Sequence, residues 1–217
     1  MLFIFDWDGT LIDSTGHIIG AMQAAASELQ ILILSSAEVQ NIIGLGLPEA
    51  ILALYPELDE AARHELKLGY AKHYIALNEE PPELFPGVAN TLEHLKAKGH
   101  LLAVATGKSR RGLQRVLDQL DMLEFFHATR CADETRSKPH PQMLHDLLAE
   151  LAIPVECAVM VGDTEYDMAM AQDAGMARIG VDYGAHAVER LRRYAPDMIL
   201  SEFAQLLGWR ELTASLK

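Results

Sequence analysis

The chain has 217 residues, of which half are hydrophobic and 23% are charged, and its formal net charge is −13. This composition is typical of a globular protein with one sizeable core, or with a core and a modest second module. The negative charge argues against nucleic acid as a partner, because phosphate backbones are bound chiefly by clustered lysines and arginines.

The first apolar run, Leu2–Phe5, is cut off by Asp6 and Asp8. It has neither the length nor the flanking residues of a signal peptide or a membrane span. We therefore predict a cytoplasmic protein with no membrane partner. Two cysteines, Cys131 and Cys157, are too few for a disulfide framework, and we expect both to be reduced thiols.

Three apolar runs that each end in polar residues predict buried strands, namely Leu2–Phe5, Leu101–Ala105 and Ala158–Val161. Helical patterns follow each run, which favours an α/β fold: a Rossmann-like parallel sheet with helices on both faces. Further strands are predicted near Phe125-Phe126, at Ala177–Val181 and at Met198–Leu200. Ligands of such sheets bind at the carboxyl ends of the strands, where the polar residues fall.

The segment after the first strand has helical patterns and no convincing strand. Its longest predicted helix runs from about Asp59 to Leu77, and Ser35 with Glu38 resembles a capping box. Proline and acidic residues around Pro81-Pro82 favour a domain linker. We therefore predict an α/β core domain of residues 1–13 and 84–217 and an inserted α-helical cap domain of residues 14–83.

Asp6 and Asp8 place two carboxylates directly after the first strand, and Gly9 lets the backbone turn sharply beside them. Repulsion between two close acids favours one ionised and one protonated group, the arrangement that a nucleophile and a general acid require. Taken alone, this Asp-x-Asp-Gly pattern also fits a fragment of a calcium-binding loop or a plain turn.

Asp163 and Asp167 follow another predicted strand and lie four residues apart at the start of a helix, so both can lie on one side of its first turn. Carboxylate oxygens of this kind suit Mg²⁺. Helix capping by Asp163, with Asp167 favourably placed at the helix dipole, is the alternative. Capping does not explain why acids converge from two strand ends.

Thr106 and Gly107 offer a hydroxyl and a backbone amide at a third strand end, and Lys138 offers a cation on a proline-flanked loop. Alone, these residues fit a helix cap and a solvated lysine. Together they supply the donors and the charge that the oxygens of a transferred phosphoryl group need. Lys108 follows the same motif and is a further candidate for contact with a substrate.

Four segments resemble, in order, the four motifs of the haloacid dehalogenase superfamily: Asp6–Ser14, Val104–Lys108, Ser137–Pro139 and Gly162–Asp167. The resemblance covers nearly the whole chain, and the helical insertion is similar to the cap of phosphoglycolate-phosphatase-like members. Trp7 is bulkier than the residue expected between the two motif acids, and we expect it to pack away from the site.

The resemblance implies that Asp6 attacks phosphorus to form an aspartyl-phosphate, and that Asp8 protonates the leaving oxygen and later activates water. It also implies that Mg²⁺ is held by the Asp6 carboxylate, the main-chain carbonyl of Asp8 and Asp163. Asp167 would support the metal directly or through water.

The same resemblance implies that Thr106 and Lys138 hold the phosphoryl group. The position of Gly107 and Lys108 after the same strand favours contact with the substrate, and for Lys108 the alternative is a solvent-facing cation at the start of a surface helix. The glycine-bearing break of the cap around Gly44 would face the site as a substrate-contact loop, the alternative being a simple turn between helices.

The predicted function is that of a magnesium-dependent phosphatase acting on a small phosphomonoester, such as phosphoglycolate, a sugar phosphate or a nucleotide monophosphate. We expect a monomer or a homodimer. A sugar phosphomutase with the same acids is the alternative enzyme, and a haloacid dehalogenase is a weaker one. A non-catalytic phosphate-binding regulatory protein remains a further alternative, because a shared fold does not prove activity.

Overall fold

The computed structural model describes residues 1–77 and 82–209. Its strands form one sheet in the order β3-β2-β1-β4-β5-β6, and every neighbouring pair is parallel. The strands are β1 Leu2–Phe5, β2 Leu101–Thr106, β3 Ala128–Cys131, β4 Ala158–Gly162, β5 Ala177–Val181 and β6 Met198–Leu200. Because β1 lies between β2 and β4, the residues that follow these three strands meet at one edge of the sheet.

Helices cover both faces of the sheet and also fill the long connection between β1 and β2. The helices are α1 Thr15–Glu28, α2 Ser36–Gln40, α3 Leu47–Leu54, α4 Glu60–Leu77, α5 Val88–Ala97, α6 Arg110–Gln119, α7 Gln142–Leu151, α8 Glu165–Asp173 and α9 Val188–Arg192. Short 3₁₀ helices lie at Val155–Cys157 and Phe203–Gly208. Within the described ranges, no helix has the length and the apolar character that crossing a membrane requires.

The continuous apolar sequence of β1 reflects burial on both sides. Phe3 and Phe5 pack in a cluster with residues of α5 and α6 on one face, while Leu2 and Ile4 pack with residues of α7 and α8 on the other. All four side chains are fully buried. A strand buried on both faces has no polar side, which is why it reads as an unbroken apolar run.

The segment from α1 to α4, here called the helical segment, has an apolar cluster of its own, in which α1 and α4 pack together. The predicted capping box at its α2 is confirmed, because the Ser35 hydroxyl accepts from the Glu38 amide and the Glu38 carboxylate accepts from the Ser35 amide. The Asp59 carboxylate caps α4 by accepting from the amide of Ala62 at 2.8 Å. The division into a core domain and a cap domain stays a prediction.

The two connections that join the helical segment to the sheet lie side by side. Ile12 forms an antiparallel bridge with Leu84, and the Phe85 amide donates to the Leu11 carbonyl at 2.9 Å. The predicted linker is described only in part, since Pro81 lies outside the described residues.

The strand predicted at Phe125-Phe126 is wrong. These residues lie in a turn after α6, and the strand begins at Ala128 instead. The ring of Phe126 packs edge-on against Trp7, with centroids 6.0 Å apart, so the aromatic pair fills the core between elements. Trp7 itself is fully buried in this apolar cluster.

Candidate active site

The carboxyl ends of β1 and β4 bring three buried carboxylates together. Asp6 follows β1, Asp163 follows β4, and Asp167 lies in the first turn of α8. One carboxylate oxygen from each lies within 4.8 Å of the others. The Asp6 amide donates to the Val161 carbonyl at 2.9 Å, which fixes the backbone of Asp6 directly against β4. The parallel pairing of two strands therefore decides where these acids meet.

Lys138 joins two of these acids from the loop before α7. Its ammonium lies 2.7 Å from Asp6 Oδ1 and 2.6 Å from Asp167 Oδ1, and its side chain is fully buried. Burial alone would lower the pKa of this lysine. The charges of Asp167 and Asp6 raise the pKa by more than burial lowers it, so the ammonium keeps its proton.

Asp6 is held by charge more than by hydrogen bonds. Its contact with Lys138 is an ion pair that lacks hydrogen-bond alignment, and Asp6 Oδ2 has no hydrogen-bonding partner among the described residues. Burial raises the pKa of Asp6 well above its usual value, and Asp167 and Asp163 raise it further, against the opposing effect of Lys138. A buried carboxylate oxygen without a partner calls for a ligand.

Asp167 begins α8 as part of a capping box. Its Oδ2 accepts from the Thr164 amide at 3.0 Å and from the Thr164 hydroxyl at 2.7 Å, while Thr164 Oγ1 accepts from the Asp167 amide. The alternative in which Asp163 caps this helix is wrong, because Thr164 is the N-cap residue. Asp163 does not cap α8, so its carboxylate can serve the site instead.

Asp163 has a hydrogen bond on each carboxylate oxygen. Thr10 Oγ1 donates to Oδ1 at 2.8 Å, and the amide of Ala185 donates to Oδ2 at 2.7 Å. Gly9 has a φ of +80°, and a side chain there would overlap the Asp163 carboxylate, so this close approach requires glycine. Burial, with repulsion from Asp167, raises the pKa of Asp163 to about 7.

The residues present fit a divalent cation. Three carboxylates face one ammonium, which leaves an excess of two negative charges when all three are ionised. Burial contributes most to the raised pKa values of Asp6 and Asp163, and repulsion among these acids adds to it. Mg²⁺ prefers oxygen ligands, and Asp6 Oδ2 is an oxygen without a partner among the described residues. The Asp8 ligand predicted from the sequence is a main-chain carbonyl, and it stays a prediction.

Asp8 lies on the other side of the site, toward the helical segment. Its Oδ1 accepts from the Ser14 hydroxyl at 2.6 Å and lies 3.0 Å from the Lys108 ammonium. Lys108 Nζ also donates to the hydroxyl of Tyr74, in α4, at 2.9 Å and lies 4.7 Å from the centre of that ring. A residue of the helical segment therefore contacts the sheet side of the site through Lys108.

Thr106 and Gly107 lie at the end of β2, where the helical segment comes closest. Thr106 is fully buried and its Oγ1 accepts from the Lys108 amide at 3.2 Å. A Cβ atom at Gly107 would lie 2.5 Å from the Leu45 carbonyl oxygen and 2.7 Å from that of Gly44. Gly44 thus borders the site, and the loop that carries it packs directly on the β2 end.

The family of haloacid dehalogenase-like hydrolases matches residues 3–181 of the chain. The chain belongs to the haloacid dehalogenase-like hydrolases. The probable phosphatase IndB of Dickeya dadantii is 35% identical over 214 residues, which cover 95% of this chain and 92% of IndB. The phosphoglycolate phosphatase of Vibrio cholerae is 30% identical over 214 residues, which cover 95% of each protein.

A solved structure of this type is also similar to the chain. The crystal structure of a predicted phosphoglycolate phosphatase from Haemophilus somnus superimposes with a TM-score of 0.87 at 27% identity, and covers 95% of this chain and 96% of that one. The family and the parallel α/β fold predicted from the sequence are confirmed. The predicted enzyme class, a hydrolase of phosphoric monoesters, agrees with the names of these relatives.

Several contacts in this hydrolase's site were not predicted. Ser14 holds Asp8, Thr10 and Ala185 hold Asp163, and Tyr74 holds Lys108. Thr10 and Ser14 lie inside the first motif, so their position was a usable signal. Tyr74 and Ala185 reach the site only through the fold, and nothing in their local sequence indicates it.

His186 and Arg190 form a further set of contacts with the helical segment. His186 is buried, and its Nδ1 accepts from the Glu165 amide at 3.1 Å, so Nε2 carries the proton and donates to the Asn41 carbonyl at 3.1 Å. Arg190 donates to Asn41 Oδ1 and pairs with Glu165. Both residues tie the helical segment to the first turn of α8.

Proposed function

We propose that this hydrolase is a magnesium-dependent phosphatase that removes phosphate from a small phosphomonoester through an aspartyl-phosphate on Asp6. The observation that carries the proposal is the Asp6 carboxylate: it is buried, it lies 2.7 Å from Lys138, and its Oδ2 has no hydrogen-bonding partner among the described residues. The phosphatase names of the relatives support the same reaction class.

In the first step, a carboxylate oxygen of Asp6 attacks phosphorus while the bond from phosphorus to the ester oxygen breaks. Asp8 donates a proton to that leaving oxygen, so an alcohol departs and an acyl phosphate remains on Asp6. Lys138 holds Asp6 in place and balances charge on the phosphoryl oxygens, and Thr106 and the Gly107 amide donate to those oxygens.

In the second step, Asp8 takes a proton from water, and the water oxygen attacks phosphorus. The bond from phosphorus to Asp6 breaks, which releases inorganic phosphate and restores the free carboxylate. A bound Mg²⁺, held by Asp6, Asp163 and the Asp8 carbonyl with support from Asp167, would supply positive charge to the phosphoryl oxygens. Thr10 and the Ala185 amide keep Asp163 in position for that ion.

The proposed size of the substrate is based on the space beside Gly107. The carbonyls of Gly44 and Leu45 lie against this residue, which favours a small leaving group over a protein substrate. Candidate substrates are phosphoglycolate, sugar phosphates and nucleotide monophosphates. Residues 14–83 act in this proposal as a cap that opens for the substrate and closes to exclude water. The cytoplasmic location and the state of assembly, monomer or homodimer, stay predictions.

The test is release of phosphate from an aryl phosphate by purified protein. We expect turnover that needs added Mg²⁺ and stops with a chelator. Acid quenching during turnover of a ³²P-labelled ester, followed by peptide mapping, should place the label on Asp6. Absence of metal-dependent phosphate release across a broad panel of esters would refute the proposal. Isomerised sugar phosphate without net phosphate release would identify a phosphomutase instead.

A further inference from the structure

Lys108 differs from Lys138 in how its charge is balanced. Lys138 contacts two carboxylates and has no exposed side-chain surface. Lys108 Nζ has one carboxylate within 4 Å among the described residues, that of Asp8, and it also donates to the neutral hydroxyl of Tyr74. Its side chain is 9% exposed. Lys108 is therefore a nearly buried cation whose charge is balanced by one carboxylate among these residues, and it loses that balance whenever Asp8 is protonated.

The position of Lys108 relative to Asp8 decides which part of a substrate it would meet. Ser14 and Lys108 both contact Asp8 Oδ1, so we assign the role of proton donor to the second carboxylate oxygen. In the proposed reaction that oxygen meets the ester oxygen of the leaving group. Because the Lys108 ammonium lies 3.0 Å from the other oxygen of the same carboxylate, we expect a substituent just beyond the ester oxygen to come within its reach.

Two stacked tyrosine rings lie beside Lys108. Tyr74 stacks on Tyr70, with ring centroids 5.7 Å apart, and both rings pack against a buried apolar cluster that includes Ile18 and Ile43. Little water can reach a charge in such a place, so an ion there interacts strongly with its neighbours. Asp8 must be protonated at the start of the proposed reaction, and a neutral or cationic leaving group would then add no negative charge beside this ammonium.

We propose that Lys108, positioned by Tyr74 of the helical segment, selects phosphate esters whose small leaving group carries a negative charge. This inference rests on the proposed phosphatase function and narrows its substrate class. Lys108 acts on the substrate directly, whereas Tyr74 is a positioning residue that fixes the ammonium through a hydrogen bond and through its ring face.

The test uses three esters with two-carbon leaving groups that differ in charge: phosphoglycolate, ethylene glycol monophosphate and phosphoethanolamine. For the wild-type protein we expect kcat/KM to fall in that order, with the anionic ester preferred over the neutral one by about tenfold or more. Lys108→Met should reduce this ratio to about twofold or less, while Lys108→Arg retains most of it. Tyr74→Phe should reduce the ratio in part, because the charge remains and only the hydrogen bond is lost.

Arg111→Met is the matched control, since it removes an exposed cation of α6 that lies three residues after Lys108. Its preference among the three esters should equal that of the wild type. The inference is overturned if the wild-type protein hydrolyses the anionic and neutral esters equally well, or if folded Lys108→Met keeps the full preference. Should Lys108→Met fail to fold, an unchanged ratio in Tyr74→Phe together with loss of activity in Lys108→Arg would overturn it.

Binding separates this inference from the phosphatase proposal. Calorimetric titration of Asp6→Asn protein with the three esters measures affinity without turnover. Tighter binding of the anionic ester, lost on adding Lys108→Met, supports charge selection even when the wild-type protein releases no phosphate. Equal affinities for the anionic and neutral esters refute charge selection even when all three esters are hydrolysed.

Discussion

The two sides of the site are built differently. On one side, Asp6, Asp163, Asp167 and Lys138 lie together, and the groups that hold Asp163 lie in the loops after β1 and β5. On the opposite side, Asp8 contacts Lys108, and Lys108 contacts Tyr74 of the helical segment. The charged residues of the first side contact residues of the sheet and its loops, whereas Lys108 on the second side is in direct contact with the helical segment.

We infer from this difference that the two sides have different roles in the reaction. We expect the first side to keep a nucleophile and a metal site in place throughout the reaction, because Asp6 and Asp163 follow two strands that are hydrogen-bonded to each other. A side shared with the helical segment can change when that segment opens, which suits selection and release of the leaving group. Four variants or conditions test this inference, from the largest expected effect to the smallest.

Asp6→Asn should abolish turnover while the protein remains folded. Asparagine has nearly the same shape but is a poor nucleophile, so we expect kcat to fall by on the order of 10⁴-fold. The measurement is phosphate release with Mg²⁺, with circular dichroism as the check on folding. Residual metal-dependent activity above about a tenth of the wild type would rule out Asp6 as the nucleophile.

Lys138→Met should destabilise the protein far more than Lys108→Met. Removing Lys138 leaves two buried carboxylates without their cation, and breaking such a buried pair costs about 3–5 kcal/mol. Removing Lys108 leaves one carboxylate, that of Asp8, which retains the Ser14 hydrogen bond and whose side chain is 11% exposed. Urea unfolding of both variants measures the difference. Equal losses of unfolding free energy would contradict the proposed contrast between the two sides.

Gly107→Ala should impair catalysis by displacing the helical segment. Its Cβ atom would lie 2.5 Å from the Leu45 carbonyl, so the loop must move away from the β2 end. We expect kcat/KM to fall by about tenfold, with a small change in stability. Gly16→Ala is the control, because a Cβ atom there has no neighbour within 4 Å. A loss of kcat/KM in both variants alike would show that the loop contact is not the cause.

The stability of the metal-free protein should fall as pH rises toward 7. Burial raises the pKa of Asp163 to about 7, so the folded protein holds a proton that the unfolded chain has already lost. Between the ordinary pKa of an aspartate and about 7, the unfolded state binds fewer protons, and the unfolding free energy decreases with pH. Mg²⁺ needs the ionised carboxylate and should stabilise more above this range than below it.

Thermal unfolding at about pH 5.5 and about pH 8, with and without Mg²⁺, checks this expectation. A stabilisation by Mg²⁺ of the same size at both pH values would argue against Asp163 as a ligand that must lose a proton. The effect is expected to be a few degrees, because a single group contributes it.

Much of the sheet could be predicted because buried parallel strands have unbroken apolar sequences. β1, β2 and β4 were found in this way, and each delivered its polar residues to the same edge. β3 was missed because Thr129 and Arg130 are only half-buried in a strand at the edge of the sheet. The apolar signal came from Phe125-Phe126 instead, which packs in the core without forming a strand.

In the site, acids next to strand ends were predictable because the carboxyl edge of a parallel sheet is a fixed place. Tyr74 was not, since it lies near the end of α4, 34 residues before Lys108, and meets Lys108 only in the folded chain. The Ala185 amide was missed for a related reason. Backbone donors carry no side-chain signature, so their contribution depends wholly on the path of the chain.

The entry and exit of the helical segment lie side by side after β1, where Ile12 pairs with Leu84. An inserted stretch of any length or architecture can begin and end there without changing the spacing of the strands. The helical segment can therefore be exchanged for another during evolution while the buried carboxylates of the site keep their positions. New substrates become accessible through exchange of a module, with the reaction itself inherited unchanged.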